Sequence, residues 1–444
     1  MPRLPRRPRL LQRPRLRSTA AVGTTLSALA ANCLIGGPSV AEPFAVAPCA
    51  LTRTAAHHSE GLDTWNAAYP RPARSLDAVM IFLSFPDAAP RTTPAELAAD
   101  HFPATSRFFR QASYGRFTLR PHPLKHWIRM PKPSTAYAIQ RDWKPENRAA
   151  YLHDALTATD PQVDFSRYDV VYFVADPDAP GVDSDATKVV NLDTPLRADG
   201  TDIRRIVTVF EKHPPDRLVL AHETGHVFDL PDLYHRPADG KGDWDTYVGD
   251  WDLMGSQFGL APDLFAWHKW KLGWLQPRQV ACVRGPGPTR LTLEPLGAGP
   301  GVPVARAFGA PAFGLGHGVK LAVVRTGPDS VLAFEARGPV GDDHAACRAG
   351  ILVYRVSSGA RSGRGPVEVI DAHPRTEACW ENSVYPPLAD APVALGESFT
   401  VPGSGDGDGG GGGDGVRVDV EGRTVSGEWT VTITPRAGGR VGHG

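Results

Sequence analysis

Cysteine is scarce in this chain of 444 residues: there are five, and no two stand in a CxxC arrangement. That excludes a cysteine-built structural zinc site and a thioredoxin-like redox motif. An excess of one charge is missing too, since 48 Lys and Arg balance 48 Asp and Glu. Nothing in that balance points to a nucleic-acid partner. Beyond the N-terminus no apolar run is long enough to span a membrane. The glycine-rich stretch 403–415 (GSGDGDGGGGGDG) lacks the regular nonapeptide repeat of a calcium-binding β-helix, so it reads as a loop between strands.

What is present begins with an uneven start. Residues 1–41 hold seven arginines and no acid, then an apolar stretch (STAAVGTTLSALAANCLIGG, 18–37), then Ser39-Val40-Ala41. This is the order of an export signal with a cleavage site, and it predicts a secreted, extracellular protein with no membrane contact after signal removal. Cys33 would leave with the signal, so Cys49, Cys282, Cys347 and Cys379 remain, an even number that fits disulfides in an oxidising compartment. Three pairings are open; Cys347 with Cys379 is the expected one, because both lie in one region.

The length suits two domains plus tails. Residues 42–75 are polar and irregular and read as a linker or short pro-segment. From 76 to 277 strands and helices alternate: a buried strand at 78–85 (AVMIFLSF), a helix over 93–111, a turn into a strand at 113–121, a helix over 146–158 and a second buried strand at 168–175 (YDVVYFVA). From 278 to 435 short β-like runs take over (VKLAVVRT, SVLAFEAR, GILVYRV, VEVIDA, VRVDV, EWTVTITP), which predicts an all-β, sandwich-like domain. Residues 436–444 read as a tail. The fold class expected is therefore α+β, a mixed sheet with helices followed by β structure.

One stretch carries chemistry. In 218–235 (LVLAHETGHVFDLPDLYH), Pro214-Pro215 blocks an earlier helix and Asp216 is a suitable N-cap, so a helix is expected from Arg217. His222 and His226, four apart, share one helix face and reach one ion. Imidazole nitrogen suits Zn2+, and a catalytic zinc keeps three protein ligands and one open position. Glu223, beside the first histidine, is placed to move a proton between a water and a leaving amine. Pro231 ends the helix and Asp232 stands ten residues after His222, where carboxylate oxygen can serve as third ligand. No glutamate occurs between His226 and Glu294, which counts against a downstream glutamate ligand. Asp229 stands where the HExxHxxGxxH pattern has glycine. Aspartate tolerates the left-handed backbone better than most residues, at about 1 kcal/mol, so a working but strained turn is expected.

These residues resemble the M6 metalloproteases, the immune inhibitor A-like peptidases of the metzincin clan. HETGHVFDLPDLY (222–234) is similar to the family's HExxHxxGLPDLYD, VGDWDLMGS (248–256) to its methionine turn, and APDLFAWHKWKLGWL (261–275) to the segment after that turn. Upstream, IFLSFPD, FFRQASYGRFTL and DFSRYDVVYFVADPDA resemble the first half of its catalytic domain; downstream, LAFEARGPVGDD, GILVYRV and VIDAHP resemble its β-rich continuation. The resemblance implies a secreted zinc endopeptidase, most simply a monomer, acting on protein or peptide substrates. It implies zinc on His222, His226 and Asp232, Glu223 as general base and acid, and Met254 as a structural floor beneath the metal. By itself Met254 reads as ordinary core. Calcium is a further cofactor implied, with Asp243, Asp245, Asp250 and Asp252 as candidates beside the plainer reading of a solvated acidic loop. The chain departs from the family at Asp229 and in having only a short region before the catalytic domain; Cys49 could cover the zinc, although a disulfide is expected. Two rivals stand: a binding protein on an impaired peptidase scaffold, and a zinc hydrolase of a non-protein amide. An extended cleft with an edge strand at 168–176 would favour the peptidase.

Overall fold

The computed structural model describes residues 47–216, 218–237, 241–300, 316–401 and 415–435. The expected signal, the glycine-rich loop (all but its last residue), the tail and Arg217 lie outside them. Strand β1 (Ser75–Ser84) is apolar at nearly every position because both of its faces are covered. Ala78, Met80 and Phe82 face one core; Val79, Ile81 and Leu83 face another. Period-two alternation with both sides buried is what turns a strand into a continuous hydrophobic run. The expected single helix over 93–111 is two, α1 (Pro94–His101) and α2 (Ala104–Ala112). Pro103 between them cannot continue the helical hydrogen bonding, while Thr93 and Glu96 form the capping box that starts α1. Then come β2 (Thr118–Arg129), α3 (Pro145–Thr159) and β3 (Val170–Ala175), as expected, and after them β4 (Lys188–Ala198) and β5 (Thr201–Val209). The last two were not legible: most of β4 is only half-buried and its apolar residues do not repeat.

These strands form one sheet in the order β2-β1-β3-β5-β4. β1, β2, β3 and β5 run parallel, and β4 runs antiparallel at the edge. The strand at 168–176, whose position at an edge would have favoured the peptidase, is central instead, and the six residues of β3 are buried as a strand inside the sheet requires. The edge position belongs to β4.

Helix α4 (Val219–Val227) lies against β4 and begins two residues after the expected start. Its N-cap is Leu218 in a left-handed conformation, and no side chain caps it, so Asp216 does not play that part. A short α5 (Ala266–Lys271) comes later. The remainder is β structure: β6 (Val280–Val283), β7 (Thr289–Leu293), β8 (Leu321–Arg325), β9 (Ser330–Arg337), β10 (Gly350–Ser357), β11 (Val367–Val369), β12 (Ser398–Val401), β13 (Val416–Arg423) and β14 (Trp429–Pro435). They make two sheets, β11-β10-β9-β8-β6 and β12-β13-β14-β7. The first is a middle layer. Its Val331, Ala333, Leu352 and Tyr354 pack toward the α-containing part, while Leu332, Phe334, Ile351 and Val353 pack against Val418, Trp429 and Val431 of the second. The α+β class holds, and one continuous core crosses the expected boundary at 278.

Residues 47–75, read as part of a linker or short pro-segment, pack against the same body, with Cys49, Leu51, His58, Ser59 and Glu60 buried. Cys49 is joined to Cys282, and Cys347 to Cys379 as expected. Both bonds suit an oxidising, extracellular setting, and among the described residues no helix is long and apolar enough to cross a membrane. Glu60 is fully buried; its carboxylate meets His268 Nε2 at 2.9 Å and lies 3.6 Å from Lys271 Nζ, while Asp252 meets His268 Nδ1 at 3.0 Å. Burial opposes the charge on His268, but Glu60 and Asp252 carry its pKa up to about 9. A pKa raised above the unfolded value of about 6.5 stabilises fully below that pH and is lost as pH rises through about 9. Chemical denaturation should show wild type more stable than His268→Gln by about 3 kcal/mol near pH 6, the gap closing toward pH 9. A pH-independent gap would show that the imidazole is neutral throughout.

Candidate metal centre

Helix α4 presents His222, Glu223 and His226 beneath β4. Both histidines are more than nine-tenths buried. His222 Nδ1 lies 2.9 Å from the Leu253 carbonyl and His226 Nδ1 2.8 Å from the Leu230 carbonyl. A carbonyl only accepts, so each Nδ1 carries the proton and each Nε2 keeps its lone pair for a ligand. Past the helix the chain turns at Asp229 (φ 66°) and brings Asp232 back. Asp232 Oδ1 lies 2.9 Å from His226 Nε2 and 3.6 Å from His222 Nε2. Ligand atoms about 2.0–2.1 Å from a tetrahedral zinc stand about 3.3 Å apart, which these distances bracket. Among the described residues this is the one group of three whose donor atoms converge, all within 4.8 Å. Two imidazoles and a carboxylate fit zinc. Without a cation, burial opposes both charges of the His226–Asp232 pair, yet mutual attraction carries His226 up to about 9 and holds the Asp232 carboxyl well below its usual range.

The supports come from distant segments. Ser362, between β10 and β11, donates to Asp232 Oδ2 at 3.0 Å and accepts from the Asp232 N–H at 2.8 Å. The β-rich part thus holds the third candidate ligand. Met254 is fully buried against Gly225, between the two histidines on the helix, where an added Cβ would fall 2.4 Å from Met254 Sδ. A larger residue at 225 would have to displace the Met254 thioether. Glu223 Oε2 accepts from the Val189 N–H of β4 at 2.6 Å. Burial raises the Glu223 carboxyl above its ordinary value, although the two histidines and Val189 pull the other way.

Asp229 is more than a tolerated residue. It is fully buried, pairs with Arg53 and accepts from His58 Nδ1 at 2.8 Å. Burial pulls the His58 pKa down to about 4, so this imidazole is neutral. Its Nε2 is 3.4 Å from the Asn191 amide of β4, and its ring stacks on His226 with centroids 5.8 Å apart. Local spacing carries no trace of these partners, since Arg53 and His58 precede Asp229 by more than 170 residues.

The centre opens into a cleft of about 550 Å³ lined by His57, Lys188, His222, Glu223, Asp232 and Tyr234, among others. A neighbouring space of about 620 Å³ shares His222, Glu223 and Tyr234 and runs past Gly255–Phe258. The calcium candidates do not gather around a point. Asp250 accepts from the N–H groups of Leu260 and Val384, both at 3.1 Å, and Asp252 from those of Met254 and Phe265, both at 2.7 Å. Both carboxylates hold loops together. Asp245 is carried up to about 6 by burial and by Asp250 and Asp243, and a converging set is absent among the described residues.

No known family profile and no curated protein matches the chain. Solved structures of wild-type OgpA from Akkermansia muciniphila in two crystal forms are similar at 11% and 10% identity. They cover 84% and 85% of this chain and 95% and 98% of theirs, with TM-scores of 0.26 and 0.25. Scores of that size are too low to bear on fold or activity.

Proposed function

We propose that the chain is a secreted zinc endopeptidase of the M6 type, working as a monomer on protein or peptide substrates. The observation that carries this reading is the convergence of two tautomer-locked Nε2 atoms and the Asp232 carboxylate, with Glu223 beside them, in an open cleft under an edge strand. Zinc bound by His222, His226 and Asp232 would supply a Lewis acid and an acidified water. Glu223, held by Val189 N–H, takes a proton from the attacking water and delivers it to the leaving amine. Its raised pKa suits a group that must both accept and release a proton near neutrality. The free edge of β4 can pair with an extended peptide, which an open groove favours and a closed small-amide pocket would not.

The test is hydrolysis of casein by the purified protein, with and without a zinc chelator. Cleavage should stop on chelation and return with added zinc. A folded, zinc-loaded protein that leaves casein and an unfolded-protein mixture intact would overturn the peptidase reading in favour of a binding scaffold.

A further inference from the structure

The cleft has a side whose charges the proposed reaction does not use. Arg141, Arg148, Lys188 and Arg236 all line it together with Glu223. Two are occupied: Arg141 lies 4.7 Å over the Trp244 ring, and Arg236 pairs with Asp142 at 3.2 Å. The other two are different. Lys188 Nζ donates to the Arg141 carbonyl at 2.6 Å, a contact that leaves its charge without a counter-ion. Among the described residues neither Lys188 nor Arg148 has a carboxylate at ion-pair distance; Asp185, also on the cleft, forms no such pair. The pair repel one another: burial and then the Arg148 charge hold the Lys188 ammonium below its ordinary pKa, against the opposing pull of Glu223 and Asp142. Two unneutralised cations in a half-buried groove are a site that an anion would relieve.

Position says which anion. Lys188 immediately precedes Val189, whose N–H holds Glu223, so its backbone stands one strand residue, about 3.3 Å of rise, from the residue that ties the proposed base, and both Lys188 and Arg148 line the same cleft as Glu223. A peptide lying along β4 would bring a side chain next to its scissile bond against Lys188 and Arg148. We infer that Lys188 and Arg148 form a cationic, anion-binding subsite, which selects substrates with an aspartate or glutamate within two residues of the scissile bond; this rests on the peptidase reading above. The carboxylate accepts charge-assisted hydrogen bonds from both cations, and a lysine in its place meets like charge.

The experiment uses fluorogenic peptides built on one neutral, cleavable sequence. Glu, Gln or Lys is placed in turn at the two positions on each side of the bond. Wild type should prefer Glu to Gln at one position by about tenfold in kcat/KM and disfavour Lys there, with the preference shrinking in 0.5 M salt. The quantity read in the variants is the Glu-to-Gln ratio, not the absolute rate. It should fall to about one in Arg148→Gln and invert in Lys188→Glu. Equal rates for Glu and Gln at all positions in wild type, or an undiminished preference in both variants, would overturn the subsite. If no peptide is cut, the peptidase reading fails separately, and anisotropy decides the subsite. Tighter binding of the Glu peptide, lost in Arg148→Gln, retains it, and equal binding of the Glu and Gln peptides removes it.

Discussion

Glu223→Gln should lower kcat/KM for peptide hydrolysis by about a thousandfold while the protein keeps its zinc and its stability. Glutamine has nearly the same shape, and its amide oxygen can still accept from Val189 N–H, the contact that holds the carboxylate at 2.6 Å. What it loses is the ability to take and return a proton. The substitution leaves the three candidate ligands, His222, His226 and Asp232, untouched. Zinc content by atomic absorption and a denaturation midpoint separate lost chemistry from lost structure. Retention of more than a tenth of wild-type activity would show that another group moves the proton, or that the reaction happens elsewhere in the molecule. Glu223→Ala should be as inactive, and it also releases the tie between α4 and β4.

Asp229→Gly, which restores the glycine of the family pattern, should destabilise this protein by about 2 kcal/mol, against about 3 for Asp229→Ala. Two terms compete. Removing a buried carboxylate leaves the half-buried Arg53 guanidinium without its counter-ion and the His58 N–H without its acceptor. That costs roughly 3 kcal/mol, less than for a fully buried pair because Arg53 reaches solvent. Glycine recovers about 1 kcal/mol of backbone strain at φ 66°, whereas alanine recovers none. The order expected in urea denaturation is wild type, Asp229→Gly, Asp229→Ala. A glycine variant as stable as wild type would show that the Arg53–Asp229–His58 contact contributes nothing. Zinc affinity should fall in both variants, since His58 stacks on His226 and reaches β4 through Asn191.

The strands with two buried faces, β1, β3, β8, β9 and β10, were legible because their apolar runs are continuous. β4 was not: most of its residues are only half-buried, and its place at the sheet edge depends on pairing with β5 that no short-range pattern encodes. The helix expected over 93–111 divides at Pro103, which cannot continue the helical hydrogen bonding. Asp216 looked like a cap by residue type, but Leu218 in a left-handed turn begins α4 without a side-chain bond.

By itself the sequence determined the candidate ligands and base. His222, Glu223, His226 and Asp232 lie within eleven consecutive residues, and helix geometry with one turn suffices to converge them. The same locality made Cys347–Cys379 readable, at a separation of 32 residues. Only the tertiary structure decided what holds that set in place. Ser362 reaches Asp232 across 130 residues, Cys49 reaches Cys282 across 233, and Arg53 and His58 reach Asp229 from the stretch read as a linker or short pro-segment. The physical reason is that a helix fixes the spacing of its own side chains, whereas partners from separate segments meet only when burial of a shared core brings them together.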